Sequence, residues 1–225
     1  MNVDIAKTIA ALPGTAVLIG LLIAAALLVI LVNWRLLVLA LGAQYILIGL
    51  LLTRVVPIEL AAVKALVGVM ICPVLYITAR RVNWGRPEEE GEEEPAAPAP
   101  RRRWHFLSVG WPVRVIVSVL GLAISIGLAS RSPLPLVADQ ILSRDLTIGA
   151  FGVILLGLIN AALAENPLKV GIGLLSILAG FELFYTAVEP TLTVVGLLGL
   201  TNLILALAIS YLTTAWASRH SEAEA

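Results

Sequence analysis

The chain has 225 residues, 60% of them hydrophobic and 13% charged, with a formal net charge of zero. Soluble domains are about half apolar and a quarter charged, so this balance argues against an ordinary soluble fold, and the absence of a basic surplus gives no case for a nucleic-acid partner. Long apolar runs, in place of alternating segments of about ten residues, point to a bundle of membrane-spanning helices and not to a barrel.

Seven apolar segments follow one another, each near the ~20 residues that a helix needs to cross the hydrocarbon. The first runs from about Thr15 to Val32, after Pro13-Gly14. It reads as a retained span and not a signal peptide, because Asp4 and Lys7 nearly cancel and the run passes Ala24-Ala25-Ala26 unbroken. Asn33-Trp34-Arg35 is a tight turn into the second segment, Leu36 to Thr53. The third starts after Pro57 and reaches Ala79, with Glu59 near its entrance and Lys64 inside it. The fourth follows Pro112 and ends near Ser130, the fifth runs from Thr147 to Ala164, the sixth from Val170 to Val188, and the seventh from Leu192 to about Ala217. The expected fold is therefore all-α, a polytopic membrane bundle of about seven transmembrane helices.

Residues 80–103 read RRVNWGRPEEEGEEEPAAPAPRRR, an acidic block, a Pro/Ala stretch and a basic block with no apolar face. Such a stretch cannot bury enough surface to order itself and is expected to be a linker. The organisation this suggests is an N-terminal three-helix unit (1–80), a charged linker (81–111), a fourth helix with an outer loop (112–146), a second three-helix unit (147–218) and a tail (219–225). The stretch after Pro135 has the makings of a short surface helix. With the linker on the cytoplasmic side, ten of the fifteen Lys and Arg residues lie inside and four outside, with Lys64 in the membrane. That count puts the N-terminus outside and the C-terminus inside.

Glu182 is the acidic residue within the sixth segment, where a charge at the centre of a helix costs roughly 2.5–3.5 kcal/mol on insertion scales. It lies four residues past the midpoint of a segment running outward, and Lys64 lies four residues before the midpoint of one running inward. At ~1.5 Å per residue both sit roughly 6 Å to the outer side of centre. Asn202 on the seventh segment and Gln44 on the second fall in a similar layer. Ionisable groups in membranes face the protein interior and pair there, so Lys64 and Glu182 are the candidate proton-relay residues, with Asn202 and Gln44 as supporting polar groups. A static ion pair that only fixes packing remains the alternative. Glu59 and Glu189 are expected at the solvated ends. Cys72 reads as a small hydrophobe, and no metal or cofactor site is expected, since GxGxxG, P-loop, CxxC and HExxH patterns are all missing. Ser176 with Gly180, and Gly121 with Ser125, are small residues that permit close helix contact.

The last three segments resemble subunit K of bacterial NADH–quinone oxidoreductase. The likeness rests on the polar turn Glu165-Asn166-Pro167-Leu168-Lys169, the Gly180-Phe181-Glu182-Leu183 core and the close return into the last span. The longer chain resembles component E of hydrogenase-4-type complexes, with Lys64, Pro73 and Arg80-Arg81 as the matching features, although the Lys64-to-Pro73 spacing is longer here. The resemblance implies a non-catalytic subunit of a complex I-like or membrane-bound hydrogenase-like assembly in the cell inner membrane, binding no cofactor. Its partners would be antiporter-like and other membrane subunits, and Glu182 would carry protons or Na⁺. Where subunit K has a second acid in its last span, this chain has Asn202. The other readings open at this point are a structural subunit that holds larger subunits together and a stand-alone secondary transporter. The lack of an internal repeat argues against the transporter.

Overall fold

A computed structural model describes residues 14–82, 110–131 and 140–224. They form seven helices: α1 Gly14–Ile30, α2 Trp34–Leu52, α3 Ile58–Arg81, α4 Trp111–Arg131, α5 Gln140–Ala162, α6 Pro167–Val188 and α7 Leu192–Glu224. Six of the seven are long and apolar enough to cross a membrane. The described part of α1 has 17 residues, or about 26 Å of helix. The protein is an integral membrane helix bundle. The expected linker lies mostly in residues 83–109, outside the described residues.

Local chemistry explains the helix boundaries. Asn33 caps α2, its side chain accepting from the Arg35 backbone N–H at 3.1 Å. Asn166 caps α6 in the same way, accepting from the Lys169 N–H at 2.9 Å, and Pro167 takes the first helical position, where a missing N–H costs nothing. Arg80 and Arg81 close α3, where cations suit the negative end of the helix dipole. One expectation changes here. α5 already begins at Gln140, so residues 140–146 are its first turns and not a separate surface helix, while residues 136–139 of that stretch lie outside the described residues. Polar side chains interrupt hydropathy without interrupting backbone hydrogen bonding.

In lipid, helix association rests on close packing, because tails are as apolar as Leu. The tightest seam joins α5 to α6. A Cβ placed on Gly157 would come within 2.9 Å of the Gly173 carbonyl oxygen, and one on Gly180 within 2.9 Å of the Ala150 carbonyl oxygen. The small residues Ser118, Gly121, Ser125 and Ala129 lie on the buried face of α4, and a Cβ at Gly121 would lie 2.8 Å from Ile159 on α5. The main core cluster draws on α1, α2, α3, α5, α6 and α7, so the two three-helix units share one interior. Within it α2, α3, α7 and α6 form a closed ring of neighbours, α2 against α3, α3 against α7, α7 against α6 and α6 against α2.

Candidate functional site

The ring of four helices encloses the polar groups. Glu182 on α6 is fully buried, and its Oε2 is ion-paired with Nζ of Lys64 on α3, itself 2% exposed. Asn202 on α7, also fully buried, donates from Nδ2 to both Glu182 carboxylate oxygens at 2.7 Å. With its amide N–H groups held by the carboxylate, Asn202 turns Oδ1 the other way. There it accepts from the Tyr45 hydroxyl on α2 at 3.2 Å. The Lys64 ammonium also stands 5.5 Å from the centre of the Tyr45 ring, within cation–π range. The result is a chain of Tyr45, Asn202, Glu182 and Lys64 that takes one residue from each helix of the ring.

Lys64, Glu182 and Asn202 thus come together, as their shared depth suggests. Gln44 does not join them. It is fully buried on α2, and neither of its amide atoms has a hydrogen-bond partner among the described residues. The α2 contribution comes instead from Tyr45, one position along. The sequence signal for it is a tyrosine at mid-helix, away from the interfacial belt where such rings usually sit, since a buried hydroxyl needs a partner. Gly68 on α3 makes room for it, because a Cβ there would collide with the Tyr45 ring. Glu59 and Glu189 are exposed at helix ends, as expected of solvated acids. Cys72 is half-buried, its thiol directed at the Gly68 carbonyl.

Lys64 and Glu182 are the oppositely charged members, and direct contact lets one proton reside on either partner without changing the net charge of the pair. Asn202 and Tyr45 orient the carboxylate and polarise it through consecutive hydrogen bonds. Tyr45→Phe leaves the Asn202 carbonyl buried without its donor and is expected to destabilise the fold by about 1–3 kcal/mol. Equilibrium unfolding in mixed micelles measures that loss.

A second polar cluster lies at the C-terminal end of α1. Lys169 on α6 donates from Nζ to the Leu31 carbonyl at 3.0 Å, and Arg114 on α4 reaches the Val29 carbonyl and, at 3.5 Å, Glu165. Both cations are buried and satisfy carbonyls that the helix end leaves without intrahelical donors. Asn160 adds a bond to the Lys169 carbonyl. Read from the sequence as connection charges, Arg114 and Lys169 are structural caps. Among the described residues, no three His, Cys, Asp or Glu side chains converge as a metal site would require.

Compared with known proteins, the chain matches no family model, no curated protein and no solved structure.

Proposed function

We propose that this integral membrane protein is a non-catalytic subunit of a complex I-like or membrane-bound hydrogenase-like redox assembly, in which Glu182 takes part in moving protons or Na⁺. The observation that carries the reading is the buried Lys64–Glu182 pair, braced by Asn202, at the meeting point of four helices. A bundle that needed only to pack would be served by apolar side chains there, since burying two charges is costly even when they pair. The resemblance of the last three helices to subunit K supports the same reading and suggests antiporter-like neighbours. Lys64 is the proton-exchange partner, and Asn202 and Tyr45 hold the carboxylate in place.

One observation favours a second reading. Glu182 is fully enclosed and has donors on both oxygens, as a static plug fixing the register of four helices would be. Glu182→Gln separates the two readings when it is placed in the assembled complex. Loss of coupled ion pumping in inverted vesicles, with the complex still intact on native gels, supports the relay. Normal pumping with normal assembly sinks it, and loss of assembly assigns Glu182 to the structural role.

A further inference from the structure

A groove of about 630 Å³ runs between α2 and α3 on the outside of the bundle, away from the Glu182 cluster. Its floor forms where Gly42 lets α3 approach, since a Cβ there would stand 3.1 Å from the Cys72 sulfur. Its walls include Leu39 and Ile77, 71% and 52% exposed, which in a membrane face the lipid. The groove extends along α2 from Arg35 to Ile46, eleven residues apart. That is about 16 Å of helix, half the ~30 Å hydrocarbon thickness, so the groove spans one leaflet.

The two ends of the groove differ. At Ile46 and Val69 it is apolar and near mid-membrane. At the other end Arg35 is exposed over the Trp34 ring, 5.3 Å from its centre, and Trp34 packs against Tyr76 at 5.2 Å. Tyr76 and Ile77 on the α3 wall are followed four residues later by Arg80 and Arg81, which therefore continue the same stripes of the helix. Both are exposed, and no carboxylate among the described residues pairs with any of the three arginines. The slot is apolar and one leaflet long, its polar end is lined by Arg35 and Tyr76, and Arg80 and Arg81 follow one turn beyond on α3, a pattern that matches an acyl chain carrying an anionic headgroup.

We propose that this groove is a binding site for an anionic phospholipid, with an acyl chain between α2 and α3 and the phosphate at Arg35, Arg80 and Arg81. A transmembrane helix of a partner protein fits less well. It would run through both leaflets, and it supplies no reason for cations at one end of the slot. Arg35 holds the headgroup as a charge donor, and the small side chains of Gly42 and Ala43 leave the volume for the chain. The proposal is independent of any role for Glu182.

The test uses the full chain in nanodiscs containing equal amounts of phosphatidylglycerol and phosphatidylcholine with identical acyl chains. Lipids retained on release are counted by native mass spectrometry. The expected result is preferential retention of phosphatidylglycerol, lowered about fivefold by Arg35→Gln and restored by Arg35→Lys. Ala43→Trp, which fills the slot, is expected to abolish retention of both lipids at this site. Equal retention of the two lipids, or a preference that neither Arg35→Gln nor Ala43→Trp changes, would overturn the proposal. Photocrosslinking from Cys72, the chain's single cysteine, in native membranes supplies a third arm. Lipid adducts support the site, and capture of a protein helix in the groove overturns it.

Discussion

Lys64→Met is expected to destabilise the folded bundle by about 3–5 kcal/mol, and adding Glu182→Gln to recover most of that loss. The sign of the second effect is the informative part. In the native protein the Glu182 carboxylate has no exposure to solvent, and its partners among the described residues are the Lys64 ammonium and the Asn202 amide. Removing the ammonium strands a buried charge, and the one remaining donor group cannot replace it. Removing the carboxylate charge as well leaves a neutral amide that still accepts from Asn202. The new NH2, with its two N–H donors, then lacks an acceptor, which keeps the recovery short of complete. The double-mutant cycle should therefore show a coupling of about 3 kcal/mol or more, at or above the high end for contacting residues. Reversible unfolding in mixed detergent micelles reads all four corners of the cycle. Strictly additive losses would mean that the two side chains do not share one electrostatic site.

The depth of these residues was legible in the sequence, because helix rise per residue is constant and lipid fixes where a span must begin and end. Four residues either side of a midpoint place Lys64 and Glu182 at one level whatever the packing. Azimuth is a different matter. Gln44 and Tyr45 differ in height by only about 1.5 Å but by roughly 100° in direction, and only tertiary packing decides which faces the ring. Gly68 settles it for Tyr45 by leaving space on α3. The same limit applies to Arg114 and Lys169. Their charge and position near helix ends suggest solvated anchors, yet both are buried because the end of α1 presents carbonyls that need donors from α4 and α6. The seven-helix fold needs only local information, namely apolar runs, Asn caps and the prolines between them. The site needs contacts between α2, α3, α6 and α7, separated by up to 157 residues in the Tyr45–Asn202 bond, and no local pattern records those.

Glycine substitutions make the packing argument quantitative, because two of them should move stability in opposite directions. Gly173→Ala on α6 places a methyl group 2.7 Å from the Ala161 backbone nitrogen and 2.8 Å from the Gly157 carbonyl oxygen. Both are backbone atoms of α5, so no rotamer change can relieve the contact, and the helices must separate. Overpacking of this kind costs about 1–3 kcal/mol, and Gly173→Leu should exceed that range. The damage extends to the polar cluster, since Glu182 lies on α6 two residues beyond Gly180, whose own Cβ position meets the α5 backbone. A wedge that shifts α6 away from α5 therefore also shifts the carboxylate relative to Lys64 and Asn202. Gly196→Ala on α7 is the counterpart. Nothing lies within 4 Å of the added methyl, and a helical glycine replaced by alanine gains about 0.5–1 kcal/mol from reduced backbone entropy in the unfolded chain. Loss of stability at 173 with a gain at 196, in the same micelles, would show that the α5–α6 seam is held by backbone proximity. Equal shifts at both positions would mean that helix propensity alone accounts for the glycines, and the close approach of α5 to α6 would then contribute nothing to holding Glu182 in place.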